Sequence, residues 1–351
     1  MRGKTPNKIL RAAAGVVVLL GVTPTPGRSQ VLPGPGGPVE FIGLQRWEAQ
    51  ELFDAIRDLA PDLPFHACAT VMRRNLGFAD AAAMRWRIDQ SDEWYTVVVG
   101  LEDSARVRYR PTGSETLDLP ETWVELLAAT GDDPYTQSVV ARAFPASGYL
   151  SNPDGPRRVA EQMGADPESV ERVWELVASA DGEEDRRLSH EVLARDSSLS
   201  ARVAATLVLG NFMDDDRSWH ALVNSVIDPH PFRLVNNVAR SMLEGMFAGM
   251  VEGLITWTGD PVDWSGARSP LAAIFGGTNL SAFNLILQVL VVTDIDPEFA
   301  RQLVRESPDL LLAYAGAEHE PTRIPALNFL KAVSGEDFGA DVDAWRAWIG
   351  R

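Results

Sequence analysis

Two pairs of adjacent histidine and glutamate offer side chains that bind transition metals. They are His190-Glu191 and His319-Glu320, about 130 residues apart in a chain with only five histidines. Imidazole and carboxylate are both suitable iron ligands. Pro321 follows the second pair directly, which places that pair at the beginning of a helix. The alternative interpretation, solvated polar residues at helix ends, is the one we favour, so we assign no metal ligand.

A histidine and the single cysteine lie two residues apart, at His66 and Cys68. On a strand they would share one face and could form a reactive pair. The favoured interpretation is a buried small thiol beside an ordinary histidine. No Asn or Asp partner can be identified from spacing, so we propose no thiol nucleophile. A single cysteine also excludes an intramolecular disulfide.

Two acidic runs could attract calcium, namely Asp214-Asp215-Asp216 and Asp294-Ile295-Asp296-Pro297. Calcium requires six to eight oxygen ligands, and neither run has the spacing of a dedicated loop. Aspartate is also a preferred helix N-cap, so we predict capping at both places. Trp257 and Trp264 could grip a sugar or a peptide, but anchoring of their own loop is the favoured role.

Motifs for catalysis are missing from the sequence. It contains no Gly-x-Ser-x-Gly elbow, no phosphate loop, no paired-cysteine motif and no His-Glu-x-x-His. Nothing singles out a catalytic pair among the 49 acidic residues. The sequence therefore identifies no catalytic, cofactor-binding or metal-binding residue.

The first 30 residues have the layout of a secretory signal peptide. Basic residues precede an uncharged apolar run over 12–22, which is too short for a stable membrane span. We expect cleavage near Gly27 to Gln30 and a periplasmic or extracellular location; an uncleaved, loosely inserted anchor is the alternative.

The composition is that of an acidic folded protein. The chain has 351 residues, 45% hydrophobic and 23% charged, with a net charge of −17. Loss of residues 1–30, which carry five basic side chains and no acidic ones, would change this charge to about −22. Such a surface repels phosphate backbones and anionic lipids, so we do not expect nucleic-acid binding.

The elements that follow divide into two parts. A Pro/Gly-rich stretch over 23–38, with 31–39 as the linker proper, is predicted to be disordered. Residues 40–150 are predicted to form a small α+β domain. Its elements are a helix over 47–59, strands over 83–88, 94–101 and 105–109, the last two as a hairpin, and helices over 123–129 and 134–143.

The second part, 151–351, is predicted to be all helical after a Gly/Pro-rich boundary at 148–157. Asp166-Pro167 is a strong helix start, and an apolar helix over 283–292 is expected at the centre. An ordered loop is predicted to interrupt the helices at 251–281. Further helices are predicted over 183–194, 198–212, 216–227 and 232–248 and from Pro297 to the end.

Self-similarity supports stacked helix pairs. Val203-Ala204, Gly210 and Phe212 recur about 35 residues later as Val238-Ala239, Gly245 and Phe247. A repeat of this period is typical of a solenoid, in which each pair buries its apolar face against the next.

Residues 196–245 resemble HEAT repeats, and 326–348 resemble the closing segment of bacterial HEAT-repeat proteins. The residues that carry the first likeness are Arg202, Val203, Ala204, Leu207, Asp214-Asp215-Asp216, Trp219 and Asp228-Pro229; those that carry the second are Ser334 to Gly339 and Asp343 to Trp348. The chain departs from the family in the 251–281 insertion and in Asn236-Asn237.

The resemblance implies a HEAT-like superhelical domain and little about function. One HEAT-repeat enzyme, deoxyhypusine hydroxylase, binds two irons through four His-Glu motifs, whereas this chain has two. Trp345 and Trp348 lie three residues apart and are predicted to cap the last apolar face.

These observations predict an exported binding or scaffolding protein whose partner is another protein. The expected contact regions are the concave face of helices 198–248 and the 251–281 insertion. Two alternatives stay open: a metal-dependent enzyme using His190, Glu191, His319 and Glu320, and small-ligand binding by the N-terminal domain.

Overall fold

The N-terminal part of the described chain contains a four-stranded mixed sheet. The computed structural model describes residues 29–88, 91–130, 136–142, 155–229, 234–251 and 261–351, without the side chains of 234, 236 and 245–251. In these ranges the strand order is β1-β2-β4-β3. β2 and β4 are parallel, and the other two pairs are antiparallel. The strands are β1 Gln30–Gly34, β2 Gly37–Ile42, β3 Asp80–Arg87 and β4 Trp94–Leu101.

The predicted Pro/Gly linker is wrong where the structure describes it, because residues 30–42 form the β1–β2 hairpin. Gly37 has φ +124°, and a Cβ there would lie 2.5 Å from the carbonyl oxygen of Trp94. Only glycine fits this position. Pro33 is tolerated because β1 is an edge strand, where a missing N–H removes no ladder bond. The predicted signal peptide lies outside the described residues, apart from Ser29 and Gln30.

The predicted hairpin between β4 and 105–109 is also wrong. Both edges of β4 are already paired, with β2 on one side and β3 on the other. After a 3₁₀ turn at Ser104–Arg106 the chain instead runs along the helices. The backbone N–H of Arg108 donates to Thr278 Oγ1 at 2.8 Å, and that of Arg110 to the carbonyl of Ile227 at 3.0 Å.

The two faces of the sheet bury different layers, because successive side chains of a strand point to opposite sides. On one face Val39, Phe41 and Val98 pack with the helices α1 (Ala49–Leu59) and α2 (Cys68–Asn75). On the other face Ile42, Val99 and neighbouring residues share one continuous core with the remaining helices. The architecture is therefore α+β, with the sheet between two helical layers. The predicted helix over 47–59 is confirmed as α1.

The rest of the described chain is mainly helical, as predicted. The predicted boundary at 148–157 lies largely outside the described residues. The helices are α3 Glu121–Thr130, α4 over 136–142, α5 Gly155–Met163, α6 Pro167–Ser179, α7 Glu183–Arg195, α8 Leu199–Val208, α9 Asp216–Val226, α10 Leu234–Val251, α11 Arg268–Gly276, α12 Phe283–Val292, α13 Pro297–Glu306, α14 Pro308–Ala315, α15 Glu320–Ser334 and α16 Val342–Ile349.

Aspartate side chains cap several of these helices. Asp166 accepts from the backbone N–H of Ser169, Asp215 from that of Arg217 and Asp296 from that of Phe299. Each satisfies an N–H group that has no partner within its helix. The capping interpretation of the two acidic runs is confirmed at Asp215 and Asp296.

Helix α8 lies at the centre of the helical layer. Its residues from Ala201 to Val208 are all buried, and α3, α6, α7, α9 and α10 surround it. A helix whose side chains are buried on all sides lies in a core and not at a surface. The prediction of a contact face on helices 198–248 is therefore wrong for α8, which has no exposed face to offer.

The predicted loop at 251–281 is wrong over its described part. Residues 264–267 form a 3₁₀ turn that leads directly into α11. Trp264 is buried, and its Nε1 donates to Thr293 Oγ1 at 3.0 Å. Trp264 therefore anchors its own segment, which is the role that the sequence favoured, and it does not face solvent. Trp257 lies outside the described residues.

Two predictions of buried apolar side chains are confirmed, one for the helix over 283–292 and one for Trp345 and Trp348. Helix α12 contributes Phe283, Ile286 and Leu290 to the core. Trp345 and Trp348 on α16 are both buried, and Trp345 Nε1 donates to the carbonyl of Gly339 at 2.8 Å.

Among the described residues no single helix is both long enough and apolar enough to cross a bilayer. One pair of helices, Trp264–Gly276 and Leu280–Val292, reaches that length and apolarity together, but the pair is bent by 107°.

Candidate functional site

The first His-Glu pair lies on α7, and both of its side chains are partly buried. Glu191 pairs with Arg187 on one side and Arg195 on the other. His190 is half-buried, and this desolvation, reinforced by Arg217, lowers its pKa. A glutamate that already pairs with two arginines is not free to bind a metal, so Glu191 belongs to a charge network on α7.

The second pair lies where α15 meets the sheet. The His319 ring packs against Trp86 and Tyr95, with centroid distances of 4.5 and 4.4 Å, and its Nδ1 lies 2.9 Å from Thr322 Oγ1. Glu320 is exposed at the beginning of α15. Burial lowers the pKa of His319, and the carboxylate of Glu40 opposes this effect.

The structure does not bring the two His-Glu pairs to one site. His190 lies near Asp215 and Arg217, whereas His319 lies against the sheet. Within the described ranges, no group of three or more His, Cys, Asp and Glu side chains is placed to hold a metal ion. In the part of the chain that the structure describes, the metal-enzyme alternative therefore has no assembled set of ligands.

His66 and Cys68 do not lie on a strand. His66 is in a 3₁₀ turn, and Cys68 begins α2. Cys68 is fully buried, and burial raises the pKa of its thiol to about 12. His66 is exposed and lies 3.5 Å from Arg85. The two side chains are not a reactive pair, and the interpretation as a buried thiol is confirmed.

A cleft opens at the carboxyl ends of the parallel strands β2 and β4. Where neighbouring parallel strands end together, the chain leaves the sheet in different directions and a crevice results. Here β2 continues into Gly43 and Gln45, and β4 ends at Leu101. Gly43 has φ +78°, and a Cβ there would lie 3.1 Å from the carbonyl oxygen of Gly100, so this close approach favours glycine.

The carboxylate of Glu102 fixes the loop on the sheet side of this cleft. It accepts from the backbone N–H groups of Gln45 at 2.8 Å and Arg46 at 3.0 Å, and from Arg46 Nε at 2.7 Å. Burial alone would raise the pKa of Glu102, but these hydrogen bonds outweigh it and lower the pKa below its ordinary value. The loop is thus held by one ionised, buried side chain.

The opposite side of the cleft comes from α14 and α16. The cleft has two adjoining compartments of about 360 and 600 Å³, which share Asp309, Leu312 and Arg346. We call the whole the strand-end cleft. The first compartment is lined by Gly43, Leu44, Gln45, Gly100, Leu101, Arg106, Asp309, Leu310, Leu312, Ala313, Val342 and Arg346, and the second adds Arg305, Pro308, Ile349, Gly350 and Arg351.

The strand-end cleft has the chemistry of a binding site. Leucine, valine, isoleucine and alanine side chains make much of its lining, and arginines with one glutamine amide surround them. None of these lining residues is a serine, threonine, cysteine, histidine, tyrosine or lysine that could act as a nucleophile or general base. The arrangement can hold an apolar group and pair with negative charge.

The sequence did not predict this cleft. Its lining residues come from five separate stretches between Gly43 and Arg351, and none forms a motif. One signal was available: Arg346 and Arg351 recur near the end of a chain that is acidic overall. That signal does not show which surface the arginines face, and Asp341 and Asp343 lie beside them in the sequence.

Comparison with known proteins finds no match to a family model, to a curated protein or to a solved structure.

Proposed function

We propose that this chain is an exported protein-binding or scaffolding module, that its helices form a HEAT-like α-solenoid, and that a partner protein binds in the strand-end cleft. The observation that carries the binding role is the cleft itself, whose lining is apolar with arginines and one aspartate, and includes no serine, threonine, cysteine, histidine, tyrosine or lysine. Export rests on the predicted signal peptide.

Burial at repeated positions supports the solenoid. Val203 and Ala204 on α8 are buried, and so are their counterparts Val238 and Ala239 on α10, about 35 residues later. The two helices pack against each other. Equivalent positions that meet in one core are what stacked repeats require.

The capped end supports a role for the cleft. Trp345 and Trp348 cover the last apolar face, and α16, which carries them, also presents Val342 and Arg346 to the cleft. If the helices form a solenoid, the cleft lies where its last helices meet the sheet.

Site-specific photocross-linking in the source cells tests this proposal. A photoreactive amino acid replaces exposed Gln45 in the cleft, and a matched control replaces exposed Glu168 on α6. We expect one protein, identified by mass spectrometry, to be cross-linked from position 45 and not from position 168. Equal cross-linking from both positions, or none from position 45, would contradict a binding role for the cleft.

The same experiment reads out export. The mature chain recovered from the cells should begin at or before Gln30, because β1 begins there. A mature chain that still carries the whole basic and apolar segment of residues 1–22 would contradict cleavage of the signal peptide.

A further inference from the structure

We infer that the occupant of the strand-end cleft is an extended acidic segment of the partner, with carboxylates on the arginines and an apolar side chain on the cleft floor. This inference rests on the proposed function and adds the chemistry of the partner to it.

The sign of the charge in the cleft is opposite to that of the chain. Four arginines line it, Arg106, Arg305, Arg346 and Arg351, against the single acid Asp309. The whole chain has 32 basic and 49 acidic residues. An excess of positive charge between apolar walls attracts negative charge. The cleft therefore selects anions, while the acidic surface around it repels long polyanions such as nucleic acid.

Two of the arginines are held in place and so provide preorganised charge. Arg106 is half-buried, its Nε donates to the carbonyl of Gly276 at 3.0 Å, and its Nη1 lies 3.7 Å from Asp309. Arg305 Nε donates to the carbonyl of Ile349 at 3.3 Å. A guanidinium whose stem is already fixed loses less side-chain entropy when it binds a carboxylate.

Arg346 is the arginine that a ligand can recruit. Its partner in the structure is Asp343, one turn away on α16, at 2.7 Å. That aspartate is 92% exposed. An exposed pair of this kind contributes about 0–1 kcal/mol, so exchange of Asp343 for a ligand carboxylate costs little. Arg346, like Asp309 and Leu312, lines both compartments, so it lies where they join.

The shape of the cleft favours an extended peptide over a compact anion. The first compartment has an apolar floor made by Leu101, Leu310, Leu312 and Val342. Its volume of about 360 Å³ is in the range of ligand pockets. The second compartment continues beyond Arg346 toward Arg305 and Arg351. An apolar residue in the first compartment and acidic residues on either side would use both.

Fluorescence anisotropy with the purified full chain tests this inference. The probe is a fluorescein-labelled, amidated hexapeptide that alternates glutamate and leucine. We expect saturable binding that weakens as salt concentration rises, at least tenfold weaker binding when lysine replaces the glutamates, and a similar loss when serine replaces the leucines. Equal binding of the glutamate and lysine peptides would overturn the inference.

A pair of charge reversals locates the binding. Arg346→Glu removes the arginine that lines both compartments, and Arg172→Glu on α6 is its matched control, because their side chains are 58% and 53% exposed. We expect Arg346→Glu to weaken binding at least tenfold and Arg172→Glu to leave it within twofold. Equal effects would place the peptide elsewhere and overturn the inference. Circular dichroism confirms that both variants are folded.

The same hexapeptide with a free terminal carboxylate identifies the source of the anion. Tighter binding of the free form supports the tail of a partner, and equal binding supports an internal acidic segment; both support an acidic occupant.

Failure of this inference differs from failure of the proposed function. If Gln45 cross-links to a partner through a segment without acidic residues, the binding role stands and the acidic occupant is wrong. If nothing is cross-linked from Gln45, the binding role itself is wrong, whatever the hexapeptide does.

Discussion

Arg110 donates two hydrogen bonds to one oxygen of Asp228, from Nε at 3.1 Å and from Nη2 at 2.7 Å. Both side chains are buried, and Arg202 Nε approaches the same oxygen at 3.3 Å. Arg110 follows the sheet, whereas Asp228 lies just after α9. The ion pair therefore attaches the segment after β4 to the centre of the helical layer.

Replacement of Asp228 by Asn should destabilise the protein by about 3–5 kcal/mol, because two buried guanidinium groups would lose their shared counter-charge. Urea denaturation followed by circular dichroism measures the change. Asp337→Asn, in an exposed pair with Lys331, is the control and should leave the midpoint unchanged. Equal midpoints for the two variants would show that the buried pair does not hold the layers together.

Glu40 attaches β2 to the beginning of α15. Its buried carboxylate accepts from the backbone N–H groups of Glu318 at 2.6 Å and His319 at 3.0 Å, and from the hydroxyl of Tyr95 at 3.1 Å. Glu40→Gln should cost about 1–3 kcal/mol in the free energy of unfolding, because an amide cannot accept from all these donors. Tyr95→Phe removes one donor only and should cost about 0.5–1.5 kcal/mol. A smaller loss for Glu40→Gln than for Tyr95→Phe would argue against this role of Glu40.

Trp345 should be the most costly tryptophan of α16 to truncate. It is fully buried and packs edge-on against Trp348 and Phe338. Trp345→Ala should lower the free energy of unfolding by about 3–5 kcal/mol through lost burial and a residual cavity. Val124→Ala, at a side chain 53% exposed, is the control and should change it by less than about 0.5 kcal/mol. An unchanged melting temperature for Trp345→Ala would disprove the cap.

The loop at the cleft should weaken at low pH. The hydrogen bonds of Glu102 lower its pKa in the folded protein, so its contribution to stability is fully present above the ordinary carboxyl pKa of about 4.3. It is lost as the pH falls from there through the folded pKa. The difference in unfolding free energy between the wild type and Glu102→Gln should thus be constant down to about pH 4.3 and shrink below it.

Exposed Glu168→Gln controls for the loss of one negative charge in this experiment. A difference between wild type and Glu102→Gln that stays constant into strong acid would exclude the ionised carboxylate as the cause.

The thiol of Cys68 should not react in the folded protein. It is fully buried, and burial raises its pKa to about 12, so almost no thiolate is present at neutral pH. A chromogenic disulfide reagent should release no colour from the native chain and one equivalent per chain in urea. Rapid release from the native chain would contradict this burial.

Local patterns were enough to predict many elements of this fold. The Asp-Pro starts of α6 and α13, strand β4 and the apolar helix α12 all follow from caps, β-branched residues or periodicity within ten to fifteen residues. The buried Trp345 followed from its spacing to Trp348. These features depend on interactions between near neighbours, which the sequence displays directly.

Residues that meet far across the chain were not predictable in this way. Glu40 binds an N–H group 279 residues later, and the cleft joins Gly43 to Arg346. The same limit explains two wrong predictions, the disordered linker at 31–39 and the strand at 105–109. Strand pairing depends on which sheet edge is free, and local β-propensity does not contain that information.

By itself, the sequence determined the predominance of helix, the predicted export signal, the acidic balance and most helix ends. Only the tertiary structure decided that the sheet shares the helical core, that α8 has no exposed face, and that four arginines face one cleft. The physical reason is that caps and periodicity act within a few turns of chain. Burial, buried ion pairs and clefts instead depend on which surfaces meet when all the elements pack together.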